Sequence, residues 1–143
     1  MSTEFVFKEL ESLDELLSSY TCILEMYPSL SKTDYREMIL EMMPNNYSQL
    51  AVYKNSKMVA VCGIWINTKL WCGKYMELDN VIVQPDYRSA GIGKLVTGYL
   101  NKKAKEIGCK LMALDAYTDN KRAHKFYMND GYDITGFHFT KKL

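Results

Sequence analysis

Residues 75–116 constrain the fold more than any other part of this sequence. Residues 75–84 have the apolar alternation of a strand, the residues after Gly91 repeat their apolar side chains with helical period, and residues 110–116 form a second strand pattern. A strand, a helix and a strand in this order form a crossover unit, which places the N-terminus of the helix beside the end of the first strand. The unit therefore predicts an α/β fold.

The first strand of this unit contains an irregularity in its alternation. Glu77 and Asp79 alternate with apolar residues, but the polar Asn80 occupies the position where the next inward apolar side chain is expected. The apolar pattern then resumes at residues 81–83. Because one inserted residue shifts every later side chain to the other face of a strand, we predict a β-bulge near Asn80.

Capping residues, prolines and turn residues predict the remaining elements. The first is a strand over residues 4–8, followed by a helix over 13–27 that begins at the capping box of Ser12 and Glu15 and ends at Pro28, and by a helix from Ser31 to Pro44. Strands 49–54 and 57–67 then form a hairpin around Asn55 and Ser56. After the crossover unit come a short helix to residue 129 capped at Asn120 and two strands within 132–141. The prediction is a mixed central sheet of about six to seven strands flanked by about four helices.

The composition predicts one soluble domain over residues 1–143. That length is enough to bury a core, and neither a repeat nor a linker divides the chain. Lys and Arg total 18 against 17 for Asp and Glu, a balance that does not indicate a nucleic-acid partner. Since no apolar run reaches the roughly 20 residues of a membrane span and no secretory signal opens the sequence, we expect a cytoplasmic protein without a membrane partner.

The cysteines and histidines do not form a recognisable metal motif. The four cysteines are scattered without a C-x-x-C pair, and the histidines are His124 and His138. Isolated cysteines in a reduced compartment are mostly small core residues. We therefore expect no metal, four structural cysteines and a structural role for His124.

A glycine-containing loop connects the first strand of the crossover unit to its helix. It places Gly91 and Gly93 at the start of the helix, flanked by Arg88 and Lys94. The first N–H groups of a helix have no intrahelical carbonyl to bind, and together with the helix dipole they bind anions. The two basic side chains add positive charge. These features predict a ligand that carries phosphate groups.

Two common phosphate-binding motifs do not fit this loop. A Walker A loop needs a glycine where this chain has Arg88, and Ser or Thr where it has Leu95. The dinucleotide fingerprint needs a small residue where the chain has Val96. From the two glycines alone, the interpretation that they only relieve crowding where the helix leaves the strand stays open.

A longer pattern around this loop resembles a known family. Residues 88–93 resemble the Gln/Arg-x-x-Gly-x-Gly/Ala signature of the GNAT superfamily of N-acetyltransferases. Residues 76–94 resemble the strand-loop-helix core of that superfamily, and residues 120–131, NKRAHKFYMNDG, resemble its later N-x-x-A-x-x-F-Y-x-x-x-G segment. The resemblance covers most of the chain. It implies the GNAT fold and transfer of an acetyl group from acetyl-CoA to a primary amine of a small molecule or peptide.

The resemblance also implies the contacts to acetyl-CoA. The residues expected around the pyrophosphate are Arg88, Ser89, Ala90, Gly91, Ile92, Gly93 and Lys94. The pantetheine arm is expected to pair like an added strand with the backbone of Val81, Ile82 and Val83. Asn120 has two compatible roles, as a helix cap and as a coenzyme contact.

Direct attack of an amine on the thioester requires that the amine lose a proton. Glu77 and Asp79 are two residues apart in a strand and so lie on one face, where either is a candidate general base, directly or through water. The alternative that both are solvated strand carboxylates stays open. Tyr127 matches the tyrosine that serves as general acid in many members of the superfamily, and its alternative role is packing beside Phe126.

The acceptor site is expected along the early helices. Residues 20–43 should form its wall, with Tyr27 and Tyr35 as candidate substrate contacts beside several methionines. The sequence does not identify the amine. Two other classes of function stay open, a non-catalytic acyl-CoA-binding sensor or regulatory module and a protein-interaction domain. A homodimer also stays open.

Overall fold

The computed structural model describes residues 4–143, apart from the side chain of Asn80. The described chain forms a five-stranded sheet in the order β1-β2-β3-β4-β5, in which β1 to β4 pair antiparallel. The strands are β1 Val6–Leu10, β2 Tyr47–Lys54, β3 Lys57–Lys69, β4 Gly73–Val83 and β5 Leu111–Leu114. The α-helices are α1 Leu13–Leu17, α2 Tyr20–Ile23, α3 Lys32–Met42, α4 Ile92–Glu106 and α5 Lys121–Asn129. The mixed α/β class is thereby confirmed.

Two helices begin at the side chains that the sequence predicts as caps. The N–H of Glu15 donates to Ser12 Oγ at 3.3 Å, and the N–H of Ser12 donates to the Glu15 carboxylate at 3.2 Å, which completes the capping box of α1. The backbone N–H groups of Ser12 and Glu11 lower the pKa of Glu15 to about 2. Ser31 caps α3 by accepting from the N–H of Asp34 at 3.0 Å.

The prediction of one helix over residues 13–27 is wrong, because the chain breaks there into α1 and α2. Ser18 and Ser19 separate the two helices. Ser18 Oγ donates to the carbonyl of Glu15 at 2.5 Å, and Ser19 Oγ lies 2.8 Å from the carbonyl of Leu16. Serine hydroxyls that bind nearby carbonyls compete with the helical ladder. This break accounts for a fifth α-helix in the described chain.

The predicted hairpin of β2 and β3 is confirmed. Asn55 and Ser56 form its turn with φ of 51° and 65°, the left-handed values that two-residue hairpin turns require. The register shifts by one residue between Val52 and Tyr53, which leaves Val59 as an extra residue in β3. This bulge decides which side chains of β3 reach each face of the sheet.

Helices cover both faces of the sheet. The face covered by α1, α2 and α3, which we call the early-helix face, holds a buried cluster of Leu10, Leu16, Cys22, Ile23, Tyr35, Ile39, Tyr47, Ala51, Val61 and Ile82. Val52 points to the other face, because it follows Ala51 directly in β2. Phe7 pairs with Val52, and its ring stacks on the Tyr99 ring of α4 with centroids 5.4 Å apart. Helix α4 therefore packs on the opposite face.

The β-bulge predicted near Asn80 is confirmed. Gly63 pairs with Asp79, but the next residue of β3, Cys62, pairs with Val81, so Asn80 is the extra residue of β4. As a result Asp79 and Ile82 lie on the same face although they are three residues apart. The bulge thus changes the strand's phase just before it ends.

The two strands predicted within residues 132–141 do not form. The described chain has no strand after β5, and Phe137 and Phe139 are 84% and 91% exposed. An alternating apolar pattern produces a strand only where a neighbour supplies backbone hydrogen bonds and burial. For this reason the described sheet has five strands.

The chain divides into two compact units, Met1–Ala113 and Leu114–Leu143. The first contains the helices α1 to α4 with the strands β1 to β4, and the second contains α5. Among the described residues, every helix is too short or too polar to cross a membrane.

Candidate active site

The loop after β4 turns the chain sharply into α4. Pro85–Tyr87 forms a single 3₁₀ turn, and Gly91 then takes a left-handed conformation with φ of 74° at the N-cap of α4. A side chain is strained in that conformation, whereas glycine is not. No atom would lie within 4 Å of a Cβ added to Gly91, so the space beside the turn is open.

This loop leaves several backbone donors at the start of α4 without a helical acceptor. The first α-helical bond runs from the N–H of Leu95 to the carbonyl of Gly91 at 3.3 Å. The N–H groups of Ile92, Gly93 and Lys94 precede it and have no intrahelical carbonyl to bind. Helix α4 is 15 residues long, and its dipole adds positive potential at this end. The residues present therefore fit a phosphate group.

Two basic side chains flank these donors. Lys94 is exposed, and Arg88 lies partly back over the strand end, where its Nε donates to the carbonyl of Val83 at 3.2 Å. The guanidinium Nη2 of Arg88 lies 3.6 Å from the carboxylate of Glu25, which follows α2. The loop and the segment after α2 are thus joined by one ion pair at the surface.

The second half of β4 extends beyond its neighbour β5. The N–H of Lys110 donates to the carbonyl of Lys74 at 2.7 Å, which places the start of β5 beside the start of β4. Since β5 has 4 residues and β4 has 11, β5 ends before the segment of Val81, Ile82 and Val83. On its other side this segment pairs with β3. Its outer edge has the backbone groups that an added extended chain needs.

Both carboxylates of β4 lie on the early-helix face, as their spacing predicts. Glu77 pairs with Trp65 of β3, and Trp65 pairs with Tyr47 of β2, which belongs to the buried cluster of that face. Asp79 pairs with Gly63 in the next row of the same face. The carboxylates therefore share a face with the early helices, and the phosphate-binding loop follows on the same strand.

Trp65 and Asp79, which belong to neighbouring cross-strand pairs of β3 and β4, form a hydrogen bond. The indole Nε1 of Trp65 donates to Oδ2 of Asp79 at 3.2 Å. Gly63 makes room for the Tyr47 side chain beside this contact, because a Cβ at position 63 would lie 2.8 Å from both the Asp79 backbone carbonyl and the Tyr47 hydroxyl. The Tyr47 ring lies against Trp65 with centroids 4.8 Å apart. Asp79 thus accepts from an indole that itself packs on a tyrosine.

A buried ring of hydrogen bonds lies under the early helices. Ser19 Oγ donates to Gln49 Oε1 at 2.6 Å, Gln49 Nε2 donates to the Tyr35 hydroxyl at 2.9 Å, and the Tyr35 and Ser19 hydroxyls are 2.8 Å apart. Gln49 Nε2 also donates to the Tyr47 hydroxyl at 3.0 Å. Burial raises the pKa values of Tyr35 and Tyr47, so both remain neutral donors at physiological pH.

The two tyrosines expected at the acceptor wall lie in different surroundings. Tyr35 is only 5% exposed and its hydroxyl belongs to the buried ring, although its side chain also borders a cavity of about 270 Å³ beside Lys32 and Arg36. Tyr27 follows α2 and is 42% exposed. Tyr27 therefore has far more surface to offer to a substrate than Tyr35.

A larger cavity of about 620 Å³ lies at the opposite end of β4 from the loop. Lys74 and Lys103 are among its lining residues. Lys74 Nζ already donates to the carbonyl of Ile107 at 2.6 Å, and Lys103 forms an ion pair with Glu9. Because the cavity lies at the end of β4 away from the loop, it is not the candidate phosphate site.

The remaining predicted site residues belong to the second unit. Asn120 caps α5 by accepting from the N–H of Ala123 at 3.1 Å, as predicted. The Tyr127 ring makes edge contacts with Phe126 and Tyr132 at centroid distances of 5.1 and 5.6 Å. A ring nitrogen of His124 lies 2.7 Å from the carbonyl of Tyr117, which agrees with a structural role for this histidine.

Comparison with known proteins supplies the family. The sequence profile of the Acetyltransferase (GNAT) family matches residues 10–132 of this chain. The chain belongs to the GNAT family. It is therefore an acyltransferase, as its N-acetyltransferase relatives indicate.

Two relatives of this GNAT protein have bacterial sources. The chain is 26% identical over 138 residues to the uncharacterized N-acetyltransferase YhdJ of Bacillus subtilis (strain 168), with 95% of this chain and 97% of that protein aligned. It is 30% identical over 104 residues to the aminoalkylphosphonate N-acetyltransferase of Salmonella typhimurium (strain LT2), with 70% of this chain and 65% of that protein aligned.

Solved structures confirm the GNAT fold. The aminoglycoside N-acetyltransferase AAC(6')-Iy, solved in complex with CoA, superposes with a TM-score of 0.84 at 13% identity and covers 100% of this chain and 97% of its own. The ribosomal-protein-alanine N-acetyltransferase of Brucella melitensis biovar Abortus 2308 superposes with a TM-score of 0.82 at 16% identity, covering 98% and 99%. At these identities the likeness establishes the fold alone.

Sequence reasoning did not single out several residues of this GNAT site. Trp65, Gly63 and Gln49 sit in the β2–β3 hairpin, and Glu25 follows α2. A glycine in the middle of a strand is the one usable signal, since it often marks a bulge or a close backbone approach. That signal would have drawn attention to Gly63 and to its neighbours in register.

Proposed function

We propose that this GNAT protein transfers the acetyl group of acetyl-CoA to a primary amine of a small molecule or peptide by direct attack. The observation that carries the proposal is the arrangement along β4. One strand presents Glu77 and Asp79 on the early-helix face, passes through the Asn80 bulge and ends in a loop of free helix donors. A base and an anion site are thereby fixed to the same rigid element.

The loop and the strand edge are proposed to hold the coenzyme. The N–H groups at the start of α4, with Arg88 and Lys94, are proposed to bind its pyrophosphate. The edge of β4 at Val81–Val83 is proposed to pair with its pantetheine arm, and Asn120 to contact it while capping α5. The profile match to residues 10–132 crosses the border between the two compact units, which supports one acetyltransferase domain over 1–143.

Acetyl-CoA supplies a thioester whose carbonyl carbon accepts the amine nitrogen. A C–N bond forms and the C–S bond breaks, so one proton must leave the amine and the thiolate can take one up. Glu77 or Asp79 takes the amine proton, directly or through water, and a backbone N–H of β4 stabilises the oxyanion. Tyr127 gives a proton to the thiolate. No covalent enzyme intermediate is needed.

The acceptor is proposed to bind along the segment that follows α2. Tyr27 offers exposed aromatic surface there, and the two β4 carboxylates attract a protonated amine before it is deprotonated. Relatives named for aminoalkylphosphonate, aminoglycosides and ribosomal-protein alanine show which amine classes to include in a screen.

A turnover screen tests this proposal. The chain is incubated with acetyl-CoA and a panel of polyamines, aminoglycosides, aminoalkylphosphonates, amino acids and N-terminal peptides, and thiol release is followed with a colorimetric thiol reagent. Thiol release with at least one amine, lost in the double variant Glu77→Gln/Asp79→Asn at pH 7, is the expected result. Binding of acetyl-CoA without release for any amine would favour the sensor or regulatory module instead.

A further inference from the structure

The hydrogen bond from Trp65 to Asp79 connects a residue outside the expected machinery to one of the two candidate bases. Nε1 of Trp65 lies 3.2 Å from Oδ2 of Asp79, and both side chains are partly buried. An indole N–H has one role only, as a donor. The contact therefore has a fixed direction, and it engages one oxygen of the Asp79 carboxylate.

The surroundings of this bond hold the indole in place. Its ring packs against the Tyr47 ring, and the Tyr47 hydroxyl is held by Gln49 of the buried ring. Gly63 leaves open the space that the Tyr47 hydroxyl occupies, since a Cβ there would lie 2.8 Å from that hydroxyl. Trp65 is thus supported by rigid neighbours, which is what a group that orients another side chain requires.

We propose that Trp65 is a positioning residue that orients the Asp79 carboxylate as the general base, an inference that rests on the proposed acetyl transfer. The indole donation fixes the rotamer of Asp79 directly before the Asn80 bulge, on the strand that presents the edge for the coenzyme. Trp65 acts through Asp79 and does not itself exchange a proton.

Four titratable side chains face or neighbour Asp79. Glu77 lies on the same strand and face, Cys62 and Tyr47 lie on β3 and β2, and Tyr35 of α3 belongs to the ring behind Tyr47. Burial raises the pKa of the Cys62 thiol to about 12 and also raises the pKa values of both tyrosines. Glu77 is therefore the neighbouring carboxylate that the test must distinguish from Asp79.

A double-mutant cycle tests the kinetic part of this inference. Trp65→Phe keeps an aromatic ring against Tyr47 and removes the indole N–H. The value of kcat at pH 7 should fall about 10-fold, as is typical when a residue that orients a catalytic group is lost, while the coenzyme KM stays unchanged. In an Asp79→Asn background the same substitution should have almost no effect on kcat, because the group it orients is already lost. Trp71→Phe is the matched control, since Trp71 is 70% exposed in the β3–β4 connection.

A spectroscopic arm tests the contact without turnover. The chain has 2 tryptophans, so the ¹H–¹⁵N spectrum shows two indole signals, and Trp71→Phe assigns them. On acidification the Trp65 signal should move in the wild type and in Glu77→Gln, and should stop moving in Asp79→Asn. The reverse pattern would assign the titrating neighbour to Glu77 and overturn the inference.

The outcomes separate this inference from the proposed function. Equal losses from Trp65→Phe in the wild-type and Asp79→Asn backgrounds, in a chain that acetylates an amine, would make Trp65 merely structural and leave the acetyl transfer intact. A chain that releases no thiol with any amine would overturn the proposed function, and the NMR arm would still decide whether the indole binds Asp79.

Discussion

The guanidinium of Arg88 in the phosphate-binding loop lies 3.6 Å from the carboxylate of Glu25, the residue two positions before Tyr27. Both side chains are partly exposed, with 56% and 34% of their surfaces accessible, so the pair itself adds little to stability. The Glu25 carboxylate instead competes with the coenzyme for Arg88, because the same guanidinium is proposed to bind the coenzyme pyrophosphate. A single carboxylate thereby connects the coenzyme loop to the proposed acceptor wall.

Glu25→Gln should strengthen binding of CoA. The substitution removes the charge that competes with phosphate for Arg88, and for an exposed pair this is worth at most about 1 kcal/mol, or up to about 5-fold in Kd. Calorimetry at low salt measures the change, which should shrink as salt is added. Glu37→Gln, an exposed carboxylate on α3, is the matched control. Weaker binding in Glu25→Gln would show that the pair positions Arg88 for the coenzyme.

Gly93→Asp should weaken binding of acetyl-CoA severely without unfolding the chain. A carboxylate in the first turn of α4 is favourable for the helix dipole, but it lies among N–H groups proposed to bind phosphate and repels that charge. Gly98→Asp is the control, because Gly98 lies further along the same helix with open space around it. Calorimetry should show a large loss of affinity for the first variant and little change for the second. Unchanged affinity in folded Gly93→Asp would remove the loop assignment.

Tyr35→Phe should mainly change the free energy of unfolding, whereas Tyr27→Phe should mainly change the acceptor KM. Loss of the Tyr35 hydroxyl removes an acceptor for the buried Gln49 amide and should lower the free energy of unfolding by about 1–3 kcal/mol. Tyr27→Phe should instead raise the acceptor KM with little change in the coenzyme KM. Denaturant titration and steady-state kinetics on both variants check this division. A larger change in acceptor KM for Tyr35→Phe than for Tyr27→Phe would return Tyr35 to the acceptor wall.

The two bulges of the sheet differ in how visible they are in the sequence. The Asn80 bulge is predictable because acidic and apolar residues alternate before it, so a phase error is evident. The bulge that leaves Val59 extra falls in an apolar run, where an inserted residue does not disturb any alternation. A register counted from the Asn55-Ser56 turn alone would therefore pair Tyr47 with the wrong residue and place Trp65 on the wrong face.

The partners of the site residues depend on contacts that are distant in the sequence. The pairs of Trp65 with Asp79, of Gln49 with Tyr35 and of Arg88 with Glu25 each join separate elements. Local patterns predict the strand, the loop and the caps, because those depend on neighbouring residues. The sequence does not reveal the break at Ser18 and Ser19, because serines are tolerated in many helices. Only the burial of Ser19 against Gln49 distinguishes this pair.

The two proton transfers of the proposed reaction differ in the free energy that they require, and this difference predicts how activity changes with pH. An alkyl amine with a pKa of about 10.4 is almost wholly protonated at pH 7, a deficit of about 3.4 units or about 4.6 kcal/mol. The leaving thiol, with a pKa near the cysteine value of about 8.5, departs more readily without help. Activity should therefore rise with pH from neutral to mildly alkaline conditions.

Glu77→Gln/Asp79→Asn should lower kcat/KM strongly near pH 7 and much less near pH 9, because the greater fraction of free amine at pH 9 replaces the missing base. Tyr127→Phe should cause a smaller loss that does not shrink as the pH rises, since it removes only a proton donor to a leaving group. Steady-state kinetics of both variants and the wild type across this range provide the comparison, with circular dichroism to confirm folding. Full activity of the double variant at pH 7 together with an inactive Tyr127→Phe would reverse this order and assign the base to a group other than the β4 carboxylates.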